Sequence, residues 1–548
     1  MPLDFSLEKP LWAVGWEWRK GKLDESRVVP WPLPSSVCLA RCHSLPSPFR
    51  ESASVPISRR DFVETALTLA AASLAGMPAS TSVGAEAESA SSTGSGRSRD
   101  MAKIRVATIG VNGQGAAHVG EWLANPDVDL VAICDVDPSA YVRLCEKHFK
   151  NSLHPPAYVQ DVRRLLDRKD IDAVSIATPN HWHALMAIWA MQSGKDVYVE
   201  KPCSHNVEEG RVMTQWARKL GRMCQMGVQS RSMTGMRQTL DFVKSGKIGD
   251  VKVARAMCYK PRPSIGLVDT HAPIPPGLDF DLWAGPAPAE VPTRKKLHYD
   301  WHWNHVTGNG DLGNQNPHEL DKARWGLGKQ ELPKRVVSVG GRLGYIDNGD
   351  TANSQVTIFQ WDDALLISDV RGLEIKSPVT FGLKAGPLRT GNIWYGTKGY
   401  VVSPSYSSGV AYDLDGNELG KWEGGSYQLH FANFVKAIKS RNHKDLHLDI
   451  EDGHLSSALA HLGNVSWTLG QAVPLGTRPT LAANDKHVAD TWDSFEAYCK
   501  EDNVDFAATK LMLGRELAID PKTERSTDAE ANRLFTREYR KGFELPRV

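Results

Sequence analysis

The run Ile104-Arg105-Val106-Ala107-Thr108-Ile109, followed at once by Gly110-Val111-Asn112-Gly113-Gln114-Gly115, constrains the fold more than any other part of the 548-residue chain. A short apolar run rich in β-branched residues predicts a buried strand, and the glycine turn behind it predicts a helix through Leu123. A second apolar run, Leu130-Val131-Ala132-Ile133-Cys134, ends on Asp135. Strand, glycine turn, helix, strand and terminal acid are the parts of a mononucleotide-binding unit. Glycines let backbone N–H groups approach a pyrophosphate, and the helix N-terminus favours its negative charge. Asp135 stands about 20 residues after Gly115, where a carboxylate meets ribose hydroxyls and repels a 2′-phosphate. Val136 and Asp137 follow it and bring no cation, so NAD is expected over NADP. A strict G-x-G-x-x-G pattern has glycine at position 112. Asn112 stands there instead, and Gly113 is expected to supply the close approach.

The alternation continues. Ile171-Asp172-Ala173-Val174-Ser175-Ile176-Ala177 predicts a strand running into Thr178-Pro179-Asn180-His181-Trp182-His183, then a helix from Ala184 to Met191. A strand from Asp196 to Val199 runs into Glu200-Lys201-Pro202. Both loops fall at the carboxyl ends of parallel strands, the edge where open α/β sheets bind ligands. Beyond them, β-rich runs at 251–259, 335–343, 354–361, 364–370 and 400–402 are separated by Gly, Asn and Asp turn signals, which predicts a second, sheet-based domain. A helix is expected over 429–440, and the tail from Ala483 is charged and helix-prone, suited to packing back across a domain surface.

Gly110 to Gly115, Thr178-Pro179 with His183, and Glu200-Lys201-Pro202 together resemble the Gfo/Idh/MocA family of glucose-fructose oxidoreductases and inositol dehydrogenases. So do Gly310-Asp311-Leu312-Gly313-Asn314-Gln315-Asn316-Pro317-His318-Glu319-Leu320-Asp321 and Tyr395-Gly396-Thr397-Lys398-Gly399. The resemblance spans roughly 103–548. It implies an α/β fold: an N-terminal Rossmann domain plus a C-terminal α/β domain with a large, mainly antiparallel sheet. One face of that sheet carries the substrate pocket, and the other often forms a subunit interface. The organisation expected is an N-terminal extension (1–57, disordered), a signal and linker (58–100), an NAD-binding domain (101–227), a substrate-binding domain (228–482) and a helical tail (483–548).

Lys201 is the first catalytic candidate. A lysine at a strand end beside nicotinamide can bond the reacting hydroxyl and stabilise negative charge on oxygen. His318 is the second. Asn316 suits an N-cap, Pro317 the first helical position, and Glu319 follows three residues after the cap, so His318 is expected in a first helical turn. There the helix dipole disfavours imidazolium and leaves a neutral general base. The resembled motif commonly carries Asp four residues before this histidine. Asn314 replaces it here, and an amide orients a hydroxyl without accepting its proton. Asp321, one turn on, is either its substitute or a helix-surface residue. In Tyr299-Asp300-Trp301-His302-Trp303-Asn304-His305, Trp301, His302, Trp303 and His305 combine aromatic faces with polar tips, which suits a sugar ring. Gln229 and Arg231 are further pocket candidates. The expected cofactor contacts are Gly110, Asn112, Gly113, Gln114, Gly115, Asp135, Thr178, Pro179, Asn180, His183, Glu200, Lys201 and Pro202.

Hydrophobic residues make up 41% and charged residues 24%, as in an ordinary soluble globular protein. Lys plus Arg number 65 against 64 for Asp plus Glu, so no global field draws the chain to nucleic acid or an anionic membrane. A small-molecule carbohydrate is the expected partner, with homo-oligomerisation, as dimer or tetramer, through the second-domain sheet. Eight scattered cysteines predict reduced structural thiols, and the Cys38/Cys42 spacing has no second pair to complete a zinc site. No metal is expected. Arg59 and Arg60 precede a mildly apolar stretch to Ala79, then a Ser/Gly-rich linker, with Ala85-Glu86-Ala87 as a small-residue cleavage site. This resembles a twin-arginine export signal and predicts a periplasmic protein without a stable membrane span. Residues 1–54 show no period, and Val55 is a candidate alternative start.

The function expected is an NAD-dependent oxidoreductase acting on a sugar, sugar alcohol or glycoside. A glycoside hydrolase that oxidises its substrate transiently with NAD is the first alternative. A non-catalytic NAD- or sugar-binding protein is the second.

Overall fold

A computed structural model describes residues 103–548. The N-terminal extension, the twin-arginine motif, the linker, Val55 and the Cys38/Cys42 pair lie outside the described residues. Six strands form the first sheet: β1 (Ile104–Ile109), β2 (Val128–Cys134), β3 (Ala157–Val159), β4 (Ala173–Ile176), β5 (Asp196–Glu200) and β6 (Cys224–Gly227). All pair in parallel, in the order β3-β2-β1-β4-β5-β6. The order reverses between β1 and β4, and the crevice outside their carboxyl ends is the expected ligand site. Helices on both faces bury the central strands β4 and β5 along their whole length, which is why these read as continuous apolar runs rather than alternating ones.

The second sheet has twelve strands: β7 (Val251–Tyr259), β8 (Arg335–Gly341), β9 (Ser354–Gln360), β10 (Leu365–Arg371), β11 (Thr390–Gly396), β12 (Gly399–Ser403), β13 (Ser408–Asp413), β14 (Glu418–Glu423), β15 (Gln471–Val473), β16 (Leu511–Leu513), β17 (Leu517–Asp520) and β18 (Arg525–Ser526). Its main path runs β14-β13-β12-β11-β7-β10-β9-β8-β16-β15. Only β7 and β10 pair in parallel; the remaining pairs are antiparallel.

Along β9 the pleat sends Val356 and Ile358 to one face and Phe359 to the other. The inner face packs on the helices Pro317–Leu327 and Ile450–Thr468. The outer face is covered by the chain itself. Trp492, Phe495 and Tyr498 of the helix Lys486–Glu501 lie over Val337, Val339, Val356 and Ile358. Val379, Phe381 and Leu388 cover Tyr259, Ile393 and Tyr400 beside them. The sheet face expected to form a subunit interface is thus lined over β7–β12 by the chain's own helix and loop. The tail is also not purely helical: β16, β17 and β18 follow its long helix, and β16 and β17 extend the sheet at β8. These strands are two to four residues long, too short to show a period in sequence.

Two returns tie the parts together. The helix Gln428–Ser440 sets Phe431 and Phe434 against Trp122 and Tyr198 of the first domain. Near the C-terminus, Phe543 meets Trp182 edge-on, with ring centres 5.5 Å apart.

Candidate active site

A cavity of about 690 Å³ runs along the carboxyl edge of the first sheet and opens against the second domain. At one end is the glycine turn. Gly110 has φ +80°, and a Cβ there would sit 2.9 Å from the backbone of Ala177. A Cβ on Gly115 would come 1.9 Å from the Gly110 carbonyl oxygen. Those two glycines are required by packing, and Gly115 does not line the cavity. Gly113 differs: a Cβ there meets nothing within 4 Å, and the residue faces the cavity. Its bareness leaves room for a ligand rather than for the protein, which fits a pyrophosphate at the helix N-terminus. Asn112 and Gln114 line the same stretch, and Arg143 donates to Asn112 Oδ1.

Asp135 ends β2 as expected, but it is only 7% exposed. Its Oδ2 accepts from the Val111 N–H (2.7 Å) and its Oδ1 from the Asp137 N–H (3.0 Å), so it braces the glycine turn. Burial pushes its carboxyl above the usual range, against those two bonds. Each oxygen keeps a further acceptor site for a ribose hydroxyl.

Thr178, Pro179, Asn180 and His183 line the cavity. The helix here begins at Asn180, four residues earlier than expected, because Pro179 stands at its cap. His183 therefore lies in a helical turn. Its ring bridges two loops, with Nε2 2.7 Å from the Thr178 carbonyl and Nδ1 2.6 Å from that of Pro202. Burial pulls this histidine below its ordinary value. In the neutral ring one N–H donates, and the tautomer decides which carbonyl receives it. Pro202 itself is buried behind the cavity wall. The Asn180 amide turns away to donate to Asn309 Oδ1 (2.9 Å).

Lys201 reaches across to the second domain, where its Nζ donates to the backbone carbonyl of Asn314 (2.8 Å). Burial pulls the ammonium below its ordinary value, opposed by Glu200. Glu200 faces inward. It meets His118 Nε2 at 3.1 Å and accepts from Gln229 Nε2 at 3.3 Å. These contacts and nearby charges outweigh burial and hold its carboxyl at about 2.

His318 occupies the first turn of the helix Pro317–Leu327, as the capping pattern predicts. The cap differs in detail, since Asn316 makes no side-chain cap bond and its amide donates instead to Ser368 Oγ (2.5 Å). His318 is 6% exposed, its Nδ1 has no partner, and its ring lies 4.7 Å from that of Tyr406. Burial first, then Lys201, holds it well below its ordinary value. Both effects act in the direction of a neutral ring.

Beyond Gly115 and Pro202, four more expected residues lie off the cavity. Asp321 and Arg231 form a buried ion pair (Nε–Oδ2 2.7 Å, Nη2–Oδ1 2.8 Å), with Ser456 donating to the same carboxylate. That pairing satisfies both charges away from the cavity and leaves Asp321 no free role as a substitute acid. Trp303 is 3% exposed and packs beneath Arg262. His305 lines a separate, shallower cavity with Trp467 and Arg342. Trp301 and His302 do line the main cavity, stacked with ring centres 3.6 Å apart, as does Gln229.

Tyr406, Tyr427, Phe431, His118, Trp283 and His298 complete the walls without having been singled out in sequence. Trp283 and His298 belong to a segment that roofs the crevice. Gln160 Nε2 donates to the Gly277 carbonyl (2.8 Å), and the Asp279 N–H donates to that of Val136 (3.1 Å). His298 Nε2 sits 2.9 Å from Asp137 Oδ2. Among the described residues, no cluster of three or more His, Cys, Asp or Glu side chains is arranged to hold a metal, and no helix is long and apolar enough to cross a membrane.

Residues 104–228 match the sequence profile GFO_IDH_MocA, described as the oxidoreductase family, NAD-binding Rossmann fold. A glycosyl hydrolase family 109 protein from Shewanella sp. strain ANA-3 is 35% identical over 155 residues, 28% of this chain and 34% of the relative. An alpha-N-acetylgalactosaminidase from Shewanella oneidensis is 35% identical over 155 residues, again 28% and 34%. The chain thus spans about a third of the length of the curated relatives it matches. The crystal structure of an oxidoreductase domain protein from Kribbella flavida superposes with a TM-score of 0.50 at 20% identity, covering 66% of this chain and 96% of that one. This likeness shows the fold.

Proposed function

We propose, from an NAD-binding domain of the Gfo/Idh/MocA oxidoreductase family at residues 104–228, that the whole chain is an NAD-dependent oxidoreductase of carbohydrate hydroxyls. The observation that carries this reading is the convergence of Lys201 from the first domain and His318 from the second on one cavity that begins at the Gly113 cradle. Bound NAD supplies the hydride acceptor. Lys201, anchored on the Asn314 carbonyl, points a donor at the hydroxyl oxygen and stabilises its charge as it develops. His318, kept neutral, accepts the hydroxyl proton. Trp301 and His302 offer a stacked apolar wall for a sugar ring. Glu200, fixed by His118 and Gln229, holds negative charge behind Lys201 and keeps its ammonium charged against burial.

The test is NAD titration followed by a panel of sugars with nicotinamide absorbance as readout. A chain that binds no NAD overturns the proposal.

A second reading, transient oxidation and elimination at a glycoside, draws on the glycosidase names of the two Shewanella relatives and on the roof over the crevice, which suits a cofactor kept between cycles. Glycoside cleavage with no net change in NADH absorbance distinguishes it. Export by the twin-arginine route to the periplasm remains our proposal from Arg59-Arg60 and the stretch behind it, and N-terminal sequencing of secreted protein tests it. Assembly into dimers or tetramers through the second-domain sheet is likewise proposed, over the part the chain itself leaves uncovered.

A further inference from the structure

One wall of the cavity is held from outside, by residues that do not line it. Leu282 and Trp283 line the cavity from the five-residue helix Phe280–Ala284. Asp279 caps its start, accepting from the Leu282 N–H (3.0 Å), and the Asp279 N–H donates to the carbonyl of Val136, the residue after Asp135. One end of the helix is thereby fixed to the edge of the first sheet. So short a helix does not stand without tertiary contacts, and its last carbonyls need partners from elsewhere.

Arg540 supplies them. Its Nε donates to the Gly285 carbonyl (2.7 Å), its Nη2 to the Asp281 carbonyl (3.1 Å) and its Nη1 to Asp281 Oδ1 (2.8 Å). The guanidinium fork therefore spans the helix from its second residue to its cap. Beside it, Trp182 lines the cavity and its Nε1 donates to the carbonyls of Leu282 (3.0 Å) and Trp283 (3.1 Å). A Cβ on Gly285 would come 2.1 Å from the Trp182 ring, so indole and helix pack without slack. Phe543 meets that indole edge-on, and the Arg540 guanidinium lies 4.8 Å over the Phe543 ring. The segment 535–548 that carries both residues is moored on the helix Val207–Leu220. The Glu208 N–H donates to the Phe535 carbonyl (2.9 Å), and Trp216 Nε1 donates to that of Pro546 (3.1 Å).

We propose that Arg540 and Phe543 are positioning residues for the cofactor: acting through Trp182 and the helix Phe280–Ala284, they set Leu282 and Trp283 as the wall against which NAD binds. This rests on the cofactor reading and adds to it a segment remote from the glycine turn in sequence. Leu282 and Trp283 with Pro179 and Trp182 make an apolar slot suited to a planar ring of the dinucleotide. Its placement matters, because a wall set back by about 0.5–1 Å forfeits roughly a quarter to a half of its dispersion contact with a ring lying on it.

The experiment is calorimetric titration with NAD, beside melting temperatures with and without NAD, for the wild type, Arg540→Met, Arg540→Lys, Phe543→Leu and Asp281→Asn. We expect Arg540→Met to weaken NAD about five-fold or more and to shrink the rise in melting temperature that NAD produces. Arg540→Lys keeps a donor for the Gly285 carbonyl and should recover part of that loss. Phe543→Leu keeps an apolar side chain but loses the edge-on ring, and should weaken NAD by about three-fold. Asp281→Asn removes only an ion pair to an exposed carboxylate and leaves both carbonyl bonds, so it should bind NAD within about two-fold of wild type. Residues that merely support the fold would lower both melting temperatures alike and leave affinity untouched. NAD affinity within about two-fold of wild type in both Arg540→Met and Phe543→Leu, or a loss in Asp281→Asn as large as in Arg540→Met, overturns the proposal and leaves the cofactor reading standing. A wild type that binds no NAD overturns the cofactor reading itself, and this proposal with it.

Discussion

At the scale of single residues, Lys201 and His318 owe their readiness to burial. A histidine held below its ordinary value of 6.5 stays neutral, and so able to accept a proton, as pH falls through that value. We therefore expect the acid limb of kcat/KM to lie below pH 6.5. Lys201 is lowered from 10.5, so if its ammonium is needed the alkaline limb should lie below 10.5. A limb near 6.5 that persists in His318→Asn would assign the base elsewhere, with His302 the next candidate. Lys201→Met and His318→Asn should each reduce the chemical step by about 10²-fold or more, with losses far from additive and NAD affinity nearly intact. Single-turnover absorbance beside NAD titration measures both. Asp135→Ala should weaken NAD and narrow its advantage over NADP, and it should also loosen the Val111 turn that Asp135 braces. An unchanged NAD/NADP ratio would remove Asp135 from ribose recognition.

At the scale of elements, the glycine turn separates two kinds of glycine that look alike in sequence. Gly115→Ala drives a Cβ into the Gly110 carbonyl, so we expect destabilisation at or above the ~1–3 kcal/mol usual for overpacking. Gly113→Ala meets no protein atom and should leave the melting temperature close to wild type while lowering NAD affinity by about ten-fold or more. Thermal melts with and without NAD separate the two outcomes. The parallel sheet and its loops were legible because a fully buried strand writes its apolar run into consecutive residues. The start of the helix at Pro317 was legible through local capping chemistry, whereas the cap bond was not, because Asn316 found Ser368 52 residues away. The same limit hid the fate of Asp321 and Arg231. They pair across 90 residues of sequence, and no spacing rule reaches that far. Tyr406 and His298 escaped notice for the same reason, since only folding brings their loops to the cavity.

At the scale of the whole molecule, the chain covers its own sheet. Trp492 is 4% exposed and packs over Val337 and Ile358, so Trp492→Ala should cost about 3–5 kcal/mol in denaturant unfolding. If the tail helix loosens in that variant, the bared apolar face should drive concentration-dependent self-association by gel filtration, which the wild type should not show through this face. The roof from Gly277 to His298 spans the crevice on bonds to Val136, Asp137 and Gln160. We expect a dinucleotide bound beneath it to leave more slowly while those bonds hold. The roof's effect is then expected on residence time. Protein purified gently should carry its nucleotide with it, exchange with labelled NAD should be slow, and His298→Ala should quicken that exchange several-fold. With exchange that slow, the oxidised and reduced forms would alternate on one bound nucleotide, so that a second small molecule, rather than a fresh nucleotide, resets the enzyme for its next turn.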